Sequence, residues 1–294
     1  MADRPIPIVI DTDIGDDIDD ALALALALNS PEVDLRAVTT VFGPVATRTR
    51  LALKLLAAFD RPDIPVGTGR AAPLFGPEPK IAPNQAVVLQ DGERLPEPSP
   101  LGADELILRT AAEAGASFTL ITIGAMTNAA LALLRDPGLA HRAHLVVMGG
   151  VVGTPMAEWN IRCDPEAARL CFDSGIPITM VGLDVTLQCK MTREDVEAVG
   201  ARGTPPTALL ARMIEAWTGV TKNTPTLHDP LAVAASFRPS LVTRQPRRVA
   251  VETRGEFTRA FTLATQSDAP NAEVCLGVDA KAFLRLFMER ILAR

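Results

Sequence analysis

Residues 6–28 read IPIVIDTDIGDDIDDALALALAL, so an apolar run, a ten-residue acidic segment and an alanine-leucine repeat follow one another directly. The run Ile6–Ile10 is typical of a buried strand, and the repeat after Asp20 is a strong helix former that is apolar on nearly all sides. Gly15 suits a tight turn between these two elements. The stretch therefore predicts a strand, a turn and a buried helix, which together open an α/β fold.

The acidic segment Asp11–Asp20 carries six aspartates, and no Lys or Arg lies between Arg4 and Arg36. Carboxylates packed this closely raise one another's pKa unless a positive partner intervenes. One or two aspartates would serve as helix caps or first-turn charges, but six exceed what capping uses. We interpret the segment as a site for a hard cation, calcium or magnesium rather than zinc, because it offers carboxylate oxygens without nearby Cys or His.

Length and composition narrow the class of protein. A chain of 294 residues with 48% hydrophobic content can bury a large core, and we expect one domain over residues 1–294. The net charge of −6 argues against a nucleic-acid partner and favours a small molecule. Neither a membrane-spanning run nor a signal peptide is evident, which predicts a cytoplasmic protein without a membrane partner. No CxxC spacing occurs, so we expect reduced, mostly structural cysteines at positions 163, 171, 189 and 275.

Short apolar strands alternate with helical stretches. Predicted strands cover Ile6 to Ile10, Leu35 to Val41, Phe118 to Ile123, His144 to Met148 and Ile178 to Val181, with helices beginning at Asp19, Val45, Thr127 and Pro165. This alternation predicts a single α/β domain with a mainly parallel central sheet, in Rossmann-like order, and helices on both faces. Strands at Arg247 to Glu252 and Phe257 to Thr265 predict a small antiparallel hairpin near the carboxyl terminus, and a last helix should start after Asp279.

Loops from three parts of the chain should meet at one edge of this sheet, because parallel sheets place ligands beyond the carboxyl ends of their strands. These loops are the acidic segment, the turn Thr39–Pro44 and the turn Thr122–Ala125. Residues 62–100, rich in Pro and Gly, look like a long irregular excursion, which in a compact domain is often a lid or a binding loop.

Further segments combine polar residues with turn formers: Met148-Gly149-Gly150, Ala157-Glu158-Trp159-Asn160 and Leu227-His228-Asp229-Pro230. With the acidic segment, and in this order, they resemble the inosine-uridine preferring nucleoside hydrolase family, whose opening motif has an Asp-x-Asp, a glycine and an Asp-Asp pair entering a helix. The resemblance spans nearly the whole chain, since further matches occur at Thr39-Thr40-Val41, Thr127-Asn128, Asp164 to Ala168 and Val181 to Asp184.

The resemblance implies a nucleoside hydrolase-like fold and a salvage reaction, the hydrolysis of the N-glycosidic bond of a purine or pyrimidine ribonucleoside to ribose and free base. It also implies a tightly held calcium ion with Asp13, Asp20, Asp229 and the main-chain carbonyl of Ile123 as ligands, which agrees with a hard cation's demand for oxygen donors. Asp13 would take the proton of an attacking water held at the metal. The family's dimers and tetramers make a homodimer or homotetramer the expectation.

The same resemblance assigns residues to the ribose. Asp19 should hold a hydroxyl, but the first motif has two extra residues before Asp19-Asp20, so Asp17 is an alternative. Glu158 and Asn160 resemble the family's ribose-holding pair, and Met148 its apolar contact near the 5′ end. Without the family match, Glu158 would be taken for a solvated acid at a helix start.

Other residues are assigned to the departing base or to support. His228 either protonates the base or orients Asp229. Trp217 is placed in the base pocket, with a core position as its alternative, and Trp159 is a weaker candidate for the same pocket. Asp11 is expected to support the site from behind. His141 and His144 are expected to be ordinary surface or strand-edge residues.

Two features depart from the family's pattern. Pro44 stands where family members often have an Asn or Asp that binds the 2′ hydroxyl, and it has neither a polar side chain nor a backbone donor. The 77–100 loop lacks the family's His-Gly and Gly-Leu-Gly elements and offers Pro83-Asn84-Gln85 and Gln90-Asp91-Gly92 instead. A catalytically weak or silent nucleoside- or sugar-binding homologue is therefore a second interpretation.

Two unrelated cation-dependent classes fit less well. A magnesium-dependent phosphatase of the haloacid dehalogenase type also begins with Asp-x-Asp after a strand, but that motif wants Thr or Val where Gly15 stands. An EF-hand loop opening at Asp11 would need a bidentate acid at its twelfth position, where this chain has Leu22.

Overall fold

The computed structural model describes residues 4–115 and 118–293. Strands in this part of the chain form one sheet of nine: β1 (Ile6–Thr12), β2 (Val33–Thr40), β3 (Val66–Thr68), β4 (Phe118–Thr122), β5 (Ala143–Met148), β6 (Ile178–Val181), β7 (Val242–Val251), β8 (Thr262–Thr265) and β9 (Ala272–Val278). Their spatial order is β3-β2-β1-β4-β5-β6-β9-β7-β8. The pairs from β3 to β9 are parallel, whereas β7 runs antiparallel to β9 and β8. The predicted α/β fold class is thereby confirmed.

Helices cover both faces of this sheet. They are α1 (Asp19–Leu28), α2 (Val45–Ala58), α3 (Ala103–Ala114), α4 (Thr127–Arg135), α5 (Trp159–Cys163), α6 (Pro165–Asp173), α7 (Leu183–Thr186), α8 (Arg193–Arg202), α9 (Pro205–Thr221), α10 (His228–Phe237) and α11 (Ala280–Ile291). Ile8 and Ile10 of β1 pack with α1, α2, α9, α10 and α11, while Val9 packs with α3, α4 and α6 on the opposite face. Because neighbouring strand residues face opposite sides, a strand covered on both sides is an unbroken apolar run.

The structure differs from the sequence prediction in the long excursion and near the carboxyl terminus. β3 and a 3₁₀ helix, Asn84–Val88, lie within the excursion predicted to be irregular. The predicted hairpin strands do pair, with Arg248 opposite Thr265, but β7 begins earlier, at Val242. β9 lies between β6 and β7, so the antiparallel part is an extension of the main sheet rather than a separate hairpin.

The last helix and the cysteines follow the sequence expectation. Asp279 caps α11 by accepting a hydrogen bond from the Ala282 N–H over 2.9 Å, and Phe283 and Phe287 are buried beneath it. The four cysteines are buried and free of disulfides. Among the helices described, none combines the length and the apolar character that crossing a lipid bilayer requires.

The turn after β1 presents the acidic segment at the central crevice of the sheet. β1 lies between β2 and β4, so the loops leaving β1 and β4 diverge at a switch point, where α/β folds bind ligands. Gly15 has a φ of +129°, and a Cβ there would lie 2.9 Å from both Leu51 Cδ1 and Pro83 Cβ, so this turn requires glycine.

The start of α1 shows what the aspartates do locally. Ile18 occupies the N-cap position and makes no side-chain capping bond, but Asp17 Oδ1 accepts a hydrogen bond from the Ile18 N–H over 2.7 Å. Asp19 and Asp20 lie instead in the first turn, where the partial positive charge of the helix N-terminus favours carboxylates.

Candidate active site

A cavity of about 660 Å³ opens where the β1, β4 and β5 loops meet. Its wall includes every residue that the sequence assigned to catalysis, substrate or metal: Asp13, Asp17, Asp19, Asp20, Ile123, Met148, Glu158, Asn160, Trp217, His228 and Asp229. The wall also contains residues not assigned from the sequence, among them Asp16, Ile81 and Leu183. The fold thus brings together segments that lie more than 200 residues apart in the chain.

Three buried carboxylates form the acidic centre of this cavity. Within the described residues, Asp19, Asp20 and Asp229 each offer an oxygen, and these oxygens all lie within 4.8 Å of one another. The Asp229 N–H donates to Asp19 Oδ2 over 3.2 Å, and the Thr12 hydroxyl donates to Asp20 Oδ1. Burial, followed by the charge of neighbouring aspartates, raises the pKa of each carboxyl well above its ordinary value. A divalent cation would remove both penalties.

Asp13 lies beside this group of three, close enough for its charge to raise the pKa of the Asp20 carboxyl. Asp13 is buried against the turn after β4, and burial raises the pKa of its carboxyl to about 6 although the nearby Arg48 guanidinium lowers it. A Cβ built on Gly124 would lie 2.7 Å from Asp13 Oδ1. Glycine at position 124 is therefore what leaves room for this carboxylate.

We expect Gly124→Ala to lower kcat by about tenfold or more, because a catalytic group displaced by as little as 1 Å loses much of its effect. The added methyl group would also lie 2.9 Å from Val41 Cγ1. Because Val41 blocks movement of the methyl group to that side, we expect the Asp13 carboxylate to be displaced. Steady-state kinetics of the folded variant measure the change. Gly200→Ala in α8 is the matched control, since its nearest neighbour would be Ala211 Cβ at 3.9 Å. Equal kcat in the two variants would contradict this packing role.

Asp11 is buried behind the cavity rather than in its wall. Its Oδ1 accepts hydrogen bonds from the Thr39 hydroxyl over 2.6 Å and from Asn128 Nδ2 over 2.8 Å. Its Oδ2 has no hydrogen-bond partner in the described part of the chain, and burial raises the pKa of the carboxyl to about 7. Asp11 thus joins β1, β2 and α4 beneath the site and does not touch the cavity itself.

Glu158 and Asn160 stand at the start of α5. Glu158 is buried, not solvated, and its carboxylate accepts hydrogen bonds from the main-chain N–H groups of Gly150, Asn160 and Ile161 at 2.9 to 3.1 Å. It therefore caps α5 as well as lining the cavity. Asn160 Nδ2 donates to the Ile123 carbonyl over 3.1 Å and to the Met148 carbonyl over 3.0 Å, which ties together the ends of β4 and β5.

The histidines and tryptophans divide between wall and surface. His228 Nδ1 lies 2.7 Å from the Thr186 hydroxyl, and burial lowers the pKa of the ring to about 4. Trp217 is almost entirely buried and still lines the cavity, while Trp159 lines its mouth and is 55% exposed. His144 is part-buried in β5, where its Nε2 lies 3.0 Å from Thr179 Oγ1.

Comparison with known proteins assigns the chain to a family. A family profile described as inosine-uridine preferring nucleoside hydrolase matches residues 8–285. The chain belongs to this family. The resemblance inferred from the motifs is confirmed, and the chain is an N-glycosyl hydrolase that releases ribose and base from nucleosides.

Individual relatives of this nucleoside hydrolase match over nearly their full length. The pyrimidine-specific ribonucleoside hydrolase RihA of Salmonella agona (strain SL483) is 39% identical over 308 aligned positions, which cover 97% of this chain and 98% of the relative. A solved purine-preferring ribonucleoside hydrolase from Gardnerella vaginalis superposes with a TM-score of 0.86 at 31% identity, covering 98% of each chain. A solved plant nucleoside hydrolase superposes with a TM-score of 0.86 at 30% sequence identity, covering 99% of this chain and 100% of that chain.

The hydrolase also contains a buried, positively charged side chain, that of Arg48, which the sequence analysis did not identify. Arg48, from α2, is completely buried and donates to Asp16 Oδ2 over 2.7 Å and to main-chain carbonyls of the acidic segment. The expectation of a cluster without a positive partner, which rested on the gap between Arg4 and Arg36, is therefore corrected. No motif marks Arg48, because its position follows from the packing of α2 against β2 and β3.

The long loop supports the acidic segment as well. Asn84 Nδ2 donates to the Asp16 carbonyl over 2.6 Å, and Gln85 Nε2 donates to the Asp17 carbonyl over 2.5 Å. The Gln85 N–H donates to the Gly15 carbonyl over 3.1 Å. The segment Pro83-Asn84-Gln85, which is atypical of the family, thus fixes the main chain of the acidic segment, where this hydrolase has two extra residues. Ile81 from the same loop lines the cavity, whereas Pro44, the N-cap residue of α2, is absent from the described wall.

Proposed function

We propose that this nucleoside hydrolase depends on calcium and that one catalytic unit, residues 1–294, carries the whole site. The observation that supports this most is the buried group of Asp19, Asp20 and Asp229 at the switch point of the sheet. Three carboxylates without a thiol or imidazole among them suit a hard cation with oxygen ligands. Asp20, Asp229, Asp13 and the Ile123 carbonyl would hold the ion, with Asp19 beside it.

The side chains of the cavity then divide the chemistry. A bound calcium ion would supply positive charge that makes a nearby water more acidic. Asp13 accepts the proton of that water as it attacks the anomeric carbon. Departure of the base leaves positive charge on the ribose ring, and the anionic oxygens around the cavity stabilise that charge. Direct attack by water inverts the anomeric centre and requires no enzyme nucleophile.

Recognition of the ribose falls to the polar wall. We assign its hydroxyls to Asp19 or Asp17 together with Asn160 and Glu158, and the 5′ end to Met148. Asn160 is held by carbonyls from two strand ends, which fixes the direction of its remaining amide oxygen. Glu158 is fixed by the helix N-terminus that it caps. Both side chains are therefore pre-organised before substrate arrives.

The departing base is assigned to His228 and Trp217. His228 lines the cavity and its Nδ1 lies 2.7 Å from the Thr186 hydroxyl, so the ring either protonates the departing base or orients Asp229. Trp217 offers an aromatic face to a planar base at the wall of the cavity. We also propose that the enzyme acts in the cytoplasm as a homodimer or homotetramer.

A nucleoside panel with metal analysis on the same preparation tests this proposal. Uridine, cytidine, inosine and guanosine all belong in the panel, because relatives named for pyrimidine and for purine preference match nearly the whole chain. We expect free ribose from at least one of them, calcium in the preparation, and loss of turnover on chelation. Tight binding of nucleosides without turnover would support the silent homologue instead, the alternative that Pro44 raised. Family membership removes the support for the phosphatase alternative.

A further inference from the structure

The buried side chain of Arg48 donates several hydrogen bonds to the acidic segment. Its Nη1 donates to the carbonyls of Asp13 and Ile14, the latter over 3.0 Å, and its Nη2 donates to Asp16 Oδ2 over 2.7 Å. Its Nε donates to the Phe42 carbonyl over 2.7 Å. A single side chain thus fastens the loop after β1 to the loop after β2.

Burying the Arg48 guanidinium costs free energy of folding, which a purely structural role does not explain. A completely buried guanidinium loses its hydration, and only one of its partners is a carboxylate, that of Asp16, whose side chain is itself 34% exposed. The other partners are main-chain carbonyls in the loops after β1 and β2. The planar fork of arginine can donate to several acceptors in fixed directions at once, which a lysine ammonium on a flexible stem does not do.

We propose that Arg48 is a positioning residue for the cation site: it fixes the main chain at Asp13 and Ile14, and thereby the direction of the Asp13 carboxylate. This inference rests on the proposed calcium site. Residues that orient metal ligands typically change metal affinity by about 10- to 100-fold when they are replaced.

The charge of Arg48, taken alone, predicts the opposite effect on calcium affinity when the residue is replaced. The Arg48 charge lies close enough to Asp13 and Asp20 to lower the pKa of both, so it also opposes a cation bound between them. If charge were its main influence, removal of the charge would tighten calcium binding, and a charge-conserving replacement would change nothing. Positioning predicts weaker binding in both cases.

Calorimetric titration with Ca²⁺ distinguishes the two, using metal-stripped Arg48→Lys, which keeps the charge, and Arg48→Gln, which removes it. Arg50→Lys is the matched control, because Arg50 lies two residues later on α2, is exposed, and donates a hydrogen bond to the Gln90 carbonyl over 3.3 Å, away from the acidic segment. We expect both Arg48 variants to bind Ca²⁺ at least about tenfold more weakly than the parent, with the control unchanged. Circular dichroism melts of the metal-free proteins report folding separately.

Parental affinity in folded Arg48→Lys, or tighter binding in Arg48→Gln, would overturn the positioning role. If either variant is unfolded without metal, the calcium concentration that restores its fold replaces the titration, and a parental midpoint would count against the proposal. Failure of the parent itself to bind Ca²⁺ would instead contradict the proposed calcium dependence, so the two failures are distinguishable.

Discussion

Asp13→Asn is expected to lower kcat by about 100-fold or more, because a positioned proton acceptor contributes roughly 10²- to 10⁴-fold to such reactions. Asparagine keeps an oxygen for the cation and the approximate shape of the side chain, but its amide cannot accept the proton. The carboxylate of Asp13 is buried against the Gly124 turn, which fixes its position in the cavity. Initial rates at saturating nucleoside and saturating calcium measure the effect.

Asp11→Asn is the matched control for this experiment. Asp11 lies two residues earlier, near the end of β1, is also buried and does not line the cavity. Its Oδ1 accepts from Thr39 and Asn128, and asparagine retains such an oxygen. We therefore expect the control to lose less than about tenfold in kcat, since the supporting contacts survive. Unchanged turnover in folded Asp13→Asn would remove Asp13 from the mechanism, whatever the control shows.

Chelation is expected to lower the melting temperature by roughly 5 to 10 °C relative to protein at 100 times the calcium Kd. Binding at that ratio stabilises the folded state by about 2.7 kcal/mol, and each kcal/mol corresponds to roughly 2 to 4 °C in a chain somewhat smaller than this one. Without the cation, the buried carboxylates of Asp19, Asp20 and Asp229 repel one another. Differential scanning calorimetry with and without chelator measures the shift.

Asp229→Asn provides the comparison that ties this shift to the cavity. The variant removes one of the three clustered charges, so its calcium-dependent shift should be small, while its metal-free form should melt at or above the parental metal-free temperature. Identical melts for the parent with and without chelator, in protein shown initially to contain calcium, would contradict a stabilising ion at this site.

The local features of the site were predictable because each depends on short-range sequence. The run Ile6–Ile10 had to be a strand buried on both faces, and Gly15 had to be a turn whose φ excludes side chains. The rule that ligands bind beyond the carboxyl ends of parallel strands then placed Asp13 and Ile123 at one crevice, where the structure has them.

Features that depend on packing between distant segments were not predictable. Arg48 is separated from Asp13 by 35 positions, and nothing in the sequence near it marks a residue that will be buried. Asn84 and Gln85 lie in a stretch that the proline content made look irregular, yet they hold the acidic segment in place. Without the family match, Glu158 would be taken for a solvated acid, because its burial depends on contacts such as the one with Gly150, which follows β5.

Crystals grown with ample calcium and measured for anomalous scattering show whether the cavity binds the ion. We expect one calcium ion in the cavity, at about 2.3 to 2.6 Å from oxygens of Asp13, Asp20, Asp229 and the Ile123 carbonyl. A cavity without an ion, with those carboxylates turned towards solvent, would contradict this expectation.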